Sequence, residues 1–538
     1  MADTYDYVIA GGGSAGSVLA ARLSENPASR VCLIEAGGRG DGLLVRMPAG
    51  LIALLPGRPP LANWAFQSVP QKGLGGRRSY QPRGKALGGS SAINAMLYVR
   101  GHRDDYDRWA ETCPGWSWDD VLPYFRRSEC HEDGADDCHG GDGPVHVSHQ
   151  KAPRPISRAF VDAGLACQIR ERDDFNTGDT EGIGHFQVTQ FHGAKNGERC
   201  SAAAGYLHPI MDRPNLRVIT GARATRIVFD GKRATGVAFR RGRRGPEEIA
   251  HAAGEVLVTA GAFGTPQLLM LSGIGPGDEV TRHGIDLRHD LPGVGQNLQD
   301  HVDYILSAKS HDRDMFGIGL RSAAEILPHI LRWRRDGASM MATPFAEGAA
   351  FLKTDPEEPR PDVQLHFCAA LVDDHGRKLH MGKGYSCHVC VLYPRSRGTV
   401  GLLSSDVMAA PRIDPNYFDA PEDMDRLVAG VKLARRIMKA PPLRRYEAQE
   451  LYVTEDEPSD DAWRAHIRAR ADTIYHPVGT AKMGTDPMAV VDPNLRVRGM
   501  DGLRVVDASV MPTLVGGNTN APTMMIAEKA ADMIRRAR

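Results

Sequence analysis

The chain has 538 residues, too many for one compact core, so two domains are the natural division. Its 66 basic residues balance 66 acidic ones at 42% hydrophobic content, which leaves no electrostatic pull toward nucleic acid or an anionic membrane. Nine cysteines fall without a disulfide framework, as suits a reducing compartment, and no uncharged apolar stretch is long enough to span a bilayer.

The clearest pattern comes first. Tyr5-Asp6-Tyr7-Val8-Ile9-Ala10 reads as a buried parallel strand, a glycine turn follows, and Ser17 to Leu23 continues at helical spacing. Gly11, Gly13 and Gly16 fit the dinucleotide fingerprint: a tight turn, an approach of pyrophosphate to backbone, and close packing of helix on strand. Ser14 and Ala15 open the helix whose amide end would face the phosphates. A second apolar run, Val31 to Ile34, ends in Glu35 and Ala36. Glu35 stands 19 residues after Gly16, close to the roughly 20 expected for a carboxylate that holds an adenosine ribose. This pattern implies a bound dinucleotide without separating NAD from FAD. A strand this near the first residue leaves no room for a signal peptide, so a cytoplasmic location is expected, with peripheral membrane contact left open.

After a Pro- and Gly-interrupted region, Arg83-Gly84-Lys85-Ala86-Leu87-Gly88-Gly89-Ser90-Ser91-Ala92-Ile93-Asn94-Ala95-Met96 stands out. Its paired glycines and small hydroxyl residues give a backbone that a flat or phosphorylated ligand can approach. Residues 129–144 hold Cys130, His131, Cys138, His139 and carboxylates, but the spacing fits no standard zinc pattern and no metal is expected. Phe186–Gln190 reads as a strand, and Arg199-Cys200-Ser201 opens a helix. Strands follow at 216–220, 224–231, 235–239 and 255–259, with Arg240 to Arg244 as a solvated hairpin turn.

Arg83 to Met96, together with Gly261 to Pro276, resembles the two signature segments of the glucose-methanol-choline (GMC) flavin oxidoreductases. The likeness runs in order from residue 5 to about 535 and is nearest in look to the choline dehydrogenase and bacterial alcohol dehydrogenase branch. It implies an α/β fold: a Rossmann-like FAD-binding domain of the GMC type with an interleaved α+β substrate-binding domain containing an antiparallel sheet. The implied division gives 1–155, 206–301 and 471–538 to the FAD-binding domain, and 156–205 and 302–470 to the substrate domain. The cofactor is then FAD, held by the residues above, by Arg83, Leu87, Gly88, Gly89, Ser90, Asn94, Ala95 and Met96, and by the backbone near Ala224 at the adenine. Ala260, Gly261, Asp507, Ala508, Asn520, Pro522 and Thr523 complete the set. The 129–144 neighbourhood becomes a lid over the active site, and Gly293 to His301, where Asp300 and His301 invite a catalytic reading, becomes a structural turn toward the substrate domain. Some choline oxidases tether FAD through a histidine where this chain has Ile93, so the flavin is expected to be non-covalent.

Near the C-terminus, His476 in Tyr475-His476-Pro477-Val478-Gly479 resembles the family's catalytic histidine, and Asn518 its second catalytic group, with Asn520 as the competing candidate. These types suit alcohol oxidation: a neutral imidazole accepts the hydroxyl proton, and an amide donates to the developing alkoxide while hydride leaves for the flavin. Pro522 suits the first turn of a terminal helix whose amide end would face the flavin. Pro344 to Phe351 is a candidate pocket wall, with Glu347 facing a cationic or hydroxylated substrate or, equally, bonded to backbone in the interior, and Tyr475 is a further pocket candidate. Cys387 and Cys390 have redox-like spacing but fall in a strand, where i and i+3 face opposite sides. The expected activity is FAD-dependent oxidation of a primary or choline-like alcohol, with electrons passed to a quinone or dye-type acceptor. The alternatives are an O2-using alcohol oxidase, a non-redox lyase or decarboxylase on the same fold, and a non-enzymatic flavin binder. A monomer or homodimer fits equally.

Overall fold

A computed structural model describes residues 4–446 and 448–537, and two sheets organise them. In chain order the elements that position the site begin with β1 (Thr4–Ala10), α1 (Ser14–Leu23), β2 (Val31–Ile34), β3 (Glu129–His131), β4 (Val145–Val147), α2 (Pro155–Ala166) and β5 (Gly182–His185). Next come β6 (Leu216–Ile219), β7 (Ala222–Asp230), β8 (Arg233–Arg241), β9 (Glu247–Val258) and α3 (Gly261–Leu271). The remainder supplies β10 (Val302–Ser310), β11 (Ala346–Leu352), β12 (Val363–Cys368), β13 (Gly382–Val391), α4 (Pro421–Met438), β14 (Leu503–Val505) and α5 (Asn520–Arg536).

The first sheet runs β6-β2-β1-β9-β8-β7, with β14 also on β9. Its nucleotide half is parallel: Val8 stands opposite Cys32 in β2 and Val256 in β9. Strands covered on both faces read as unbroken apolar runs, as β2 does along its whole length. The β7-β8-β9 part is antiparallel, and the basic run covers the end of β8 (Arg240, Arg241) and the β8–β9 turn, where the Arg243 side chain is exposed. Chain ends meet here. α1 packs on α5, and the fully buried Glu528 carboxylate takes Arg22 at 2.8 Å and the Tyr206 hydroxyl at 2.6 Å.

The second sheet is antiparallel, in the order β10-β13-β12-β11-β5. α2 and α4 cover one face with Ile156, Phe160, Leu427 and Val431, while Met96, Ala346, Cys368 and Cys390 form a separate core on the other. Phe160 stacks on Phe367 with centroids 4.5 Å apart, a pair worth about 0.5–1.5 kcal/mol beyond its buried area. Strand alternation sends Cys387 to one core and Cys390 to the other, so the two thiols do not form a pair across a turn.

Two expectations shift. The regular strand near 186–190 is Gly182–His185; past Phe186, whose N–H donates the last ladder bond to the Glu347 carbonyl, only isolated bridges at Val188 and Gln190 remain. The second sheet also extends beyond residue 470, because Asp472–Thr473 pairs with β10. Among the described residues no helix is long and apolar enough to cross a membrane.

Candidate active site

One wall of the principal cavity is made of glycine turns. Gly11 has φ +116°, and a Cβ there would lie 2.5 Å from the Thr259 carbonyl oxygen. A Cβ on Gly16 would lie 1.9 Å from the Gly11 carbonyl oxygen, so this glycine lets α1 sit against β1. The second turn locks onto the first: Gly88 N–H donates to the Gly12 carbonyl at 2.7 Å, and a Cβ on Gly89 would lie 2.7 Å from the Gly13 Cα. α1 and α5 both begin at this wall without a side-chain cap, and Ser14 Oγ donates to Asn520 Oδ1 at 2.8 Å between them. Two helix amide ends therefore open on one space, which favours negative charge there.

Glu35 ends β2 with its carboxylate already bonded. Oε2 accepts from Gly12 N–H at 2.8 Å and Oε1 from Gly37 N–H at 2.7 Å, and burial lifts the carboxyl to about 7 against the pull of these amides. Asp507 performs a similar task at the start of α3. It accepts from Gly261 N–H at 2.9 Å and from Thr265 Oγ1 at 2.6 Å.

The cavity of about 430 Å³ is lined by Gly11, Gly13, Ser14, Ala15, Glu35, Ala36, Arg83, Gly89, Ser90, Asn94, Ala95, Met96, Ala224, Ala260, Gly261, Asp507, Ala508, Asn520 and Thr523. Tyr475, His476 and Asn518 line it too. Gly16, Leu87, Gly88 and Pro522 do not; they lie behind the wall, Leu87 under Gly12 and Pro522 buried in the first turn of α5. Glu347 does not reach the cavity either. Alternation along β11 turns Ala346 in and Glu347 away, toward Arg154 N–H at 2.6 Å, Ser157 Oγ at 2.6 Å and Thr343 Oγ1 at 2.7 Å. Its charge sits at the N-terminus of α2, where the helix dipole favours it. None of the residues 129–144, expected as a lid, lines the cavity.

His476 stands where the two sheets meet. Its backbone N–H donates to Asp300 Oδ1 at 2.9 Å, while Tyr417 donates its hydroxyl to Asp300 Oδ2 at 2.5 Å. The preceding Tyr475 has φ +80°, a conformation rare for a bulky residue, and three bonds hold this turn. Arg83 donates to the Tyr475 carbonyl at 2.8 Å, Thr473 Oγ1 accepts from Tyr475 N–H at 2.7 Å, and the Tyr475 hydroxyl meets His375 Nδ1 at 2.8 Å.

The ring of His476 is oriented by a relay whose proton positions follow from one carbonyl. The Leu392 oxygen, 2.9 Å from His301 Nε2, can only accept, so His301 carries its proton on Nε2. His301 Nδ1 is then an acceptor, and His476 Nδ1, 2.9 Å away, must donate to it. That leaves the lone pair of His476 on Nε2, which faces Asn518 Nδ2 at 3.1 Å. Gln364 Nε2 donates to Asn518 Oδ1 at 3.2 Å, which turns the amide NH2 toward His476. Burial first, then the imidazoles of His301 and His366 and the guanidinium of Arg83, hold His476 well below 6.5. Burial likewise takes His301 down to about 3. Both rings are neutral at physiological pH.

Sequence reasoning singled out Asp300 and His301 but set them aside as part of a turn, and it missed Gln364. The turn reading of 293–301 is compatible with the chain leading into β10, but it hid the contacts of Asp300 and His301 with His476. A signal was available in two adjacent ionisable residues at the start of an apolar strand, a place where burial forces them to find partners.

A flavin dinucleotide suits the donor set here: glycine turns that a Cβ would fill, two open helix amide ends, and a buried carboxylate at the end of β2. Ile93 also lines the cavity. Family models described as GMC oxidoreductase match residues 5–303 and 394–527. Over 99% of this chain and 96% of the relative, the sequence is 47% identical to an alcohol dehydrogenase (acceptor) from Pseudomonas putida. It is 42% identical to the human mitochondrial choline dehydrogenase, over 99% of this chain and 90% of the relative. The structure of pyridoxine 4-oxidase from Mesorbium loti superposes with a TM-score of 0.87 at 32% identity, covering 99% of both chains.

Proposed function

The chain belongs to the GMC oxidoreductase family, and on that premise we propose that His476 is the base and Asn518 the hydrogen-bond donor of an FAD-dependent alcohol oxidation. The enzyme is an FAD-dependent alcohol dehydrogenase of the alcohol and choline dehydrogenase group. Bound FAD supplies the hydride acceptor for the carbinol carbon of the alcohol. Everything else is done by side chains of this chain. His476 Nε2 holds the one lone pair the relay leaves toward the cavity, and it takes the hydroxyl proton. The resulting imidazolium keeps its Nδ1–H on His301, which at about 3 cannot itself accept the proton and so acts as a fixed orienter. Asn518, its amide turned by Gln364, donates to the oxygen as negative charge develops there.

The relay from the Leu392 carbonyl to His476 Nε2 carries this reading. Asn520 bonds Ser14 instead of the histidine, which favours Asn518 over its neighbour. The glycine wall, Glu35 and Asp507 would hold FAD, and Ile93 offers no nucleophile for a tether, so the flavin is non-covalent and leaves with denatured supernatant. Primary alcohols are the substrate class, and a quinone or dye-type molecule is the acceptor. The test is anaerobic bleaching of the flavin by a panel of alcohols, followed by reoxidation with oxygen or with a quinone. No bleaching by any alcohol overturns the reading; fast reoxidation by oxygen overturns the acceptor assignment alone.

A further inference from the structure

β3 and β4 pair in parallel with Glu129 opposite Val145, Cys130 opposite His146, and His131 opposite Val147. The flanking residues of both strands are buried, so Cys130 and His146 project together from the other, half-buried face. His192 comes to the same place from the segment after Phe191; its ring centroid lies 4.3 Å from that of His146. The Cys130 thiol and one nitrogen from each ring all lie within 4.8 Å of one another. We propose that Cys130, His146 and His192 form a binding site for a thiophilic divalent cation of the zinc class.

The donor set is one sulfur and two imidazoles, the ligand types that zinc and its neighbours prefer. Two of the three groups already stand in the form a metal needs. His192 Nε2 lies 3.0 Å from the Cys130 carbonyl and donates to it, which leaves the Nδ1 lone pair available, the arrangement in which a ligating histidine spends its other N–H on a carbonyl. His146 Nδ1 is buried and has no hydrogen-bond partner. A cation that takes the Cys130 sulfur displaces the thiol proton, so loading the site releases one proton. Cys200 is close, accepting from His146 N–H at 3.4 Å, but its own thiol points to the Pro144 carbonyl; a water completes the cation's shell.

A second group of Glu129, His131 and His139 lies on the opposite face of the ribbon and is already neutralised internally. Arg100 pairs with Glu129 at 2.6 Å, and His139 pairs with Asp174 at 2.7 Å. On that face the Arg100 guanidinium already supplies the positive charge that a cation would bring. A cation at Cys130, His146 and His192 would clasp the ribbon to the turn in which Phe191 N–H donates to the Glu198 carbonyl at 2.9 Å. That turn returns through Arg199, which holds the Asn94 carbonyl of the cavity wall at 2.6 Å.

The experiment uses the FAD-loaded full chain, dialysed against chelator and titrated with Zn2+ against a chromophoric competitor, with Co2+ as a spectroscopic stand-in. Expected are one equivalent of Zn2+ per chain at a Kd below about 1 μM, one proton released, and a thiolate-to-cobalt absorption band. Thermal midpoint should rise with Zn2+ by mass action. Cys130→Ser should abolish the band and weaken Zn2+ by about 10²-fold or more, and His192→Gln, which keeps a donor for the Cys130 carbonyl, should weaken it comparably. Alcohol turnover and flavin content stay at wild-type values in both variants. Absence of stoichiometric uptake, uptake that survives Cys130→Ser, or uptake lost in His139→Gln while Cys130 is intact, would each overturn the assignment.

Discussion

The two walls of the cavity are built by different physics. The nucleotide wall is made of backbone: glycine turns, helix amide ends and one carboxylate bonded to two amides, built around the single β1-α1-β2 unit of residues 4–35, with Gly89, Thr259 and the start of α5 packed onto it. The alcohol wall is made of side chains brought from far apart. Leu392, His301, His476, Asn518 and Gln364 come from separate stretches of the chain and meet only because β10, β12 and β13 lie side by side. Local geometry makes the first wall; register makes the second. Damage to the first should therefore cost the cofactor and damage to the second the chemistry, and single substitutions can separate the two.

The largest effect belongs to the alcohol wall. His476→Ala is expected to keep its flavin and to slow anaerobic reduction by alcohol by about 10²- to 10⁴-fold. Reduction at the wild-type rate would remove the histidine from the mechanism. His301 tests the relay more finely. His301→Ala deprives His476 Nδ1–H of its acceptor and should cost about 10- to 100-fold in kcat with little change in KM. His301→Gln can donate to Leu392 and accept from His476, so it should recover most of that loss. Equal damage by both variants would mean that packing, and not the tautomer, is what His301 supplies.

The nucleotide wall should respond in the opposite currency. Glu35→Gln leaves one of two buried amides without a matching acceptor, at a cost of about 1–3 kcal/mol. The outcome expected is roughly tenfold faster loss of FAD on dialysis, with the reduction rate of the flavin that remains unchanged. A slower reduction with full flavin content would contradict the separation of the walls.

That separation also explains what could be read from the sequence. Gly11, Gly13, Gly16 and Glu35 announce themselves because turn, helix and strand end are contiguous, so spacing alone encodes the geometry. His476 was legible through its motif, but its tautomer was not, since that depends on a carbonyl 84 residues earlier in the chain and a ring 175 residues away. Glu347 stayed open between pocket and interior for the same reason. A carboxylate in a wall segment looks like a ligand for substrate, and only strand alternation turns it to the N-terminus of α2. Glu347→Gln should lower stability by about 1–3 kcal/mol and leave KM for alcohols unchanged.

The smallest effect expected is an absence of change, and it tests the electrostatics directly. Burial holds His476 far below its ordinary value of 6.5, and His301 at about 3, so both stay neutral in the fold while the unfolded chain protonates them near 6.5. Stability from these two groups is thus fully present above pH 6.5 and declines as pH falls, because the unfolded state then binds more protons. His388 runs the other way: burial opposes its charge, but the Asp303 carboxylate at 2.6 Å raises it, so its contribution is present below 6.5 and fades as pH rises. Catalysis follows only the first pair. The rate of flavin reduction by alcohol should stay flat from pH 7.5 down to about 5.5 even as the melting temperature drops, because the base remains unprotonated throughout. A rate that halves near pH 6.5 would show that His476 titrates as a solvated imidazole, and the side-chain wall would lose the dry setting on which its relay depends.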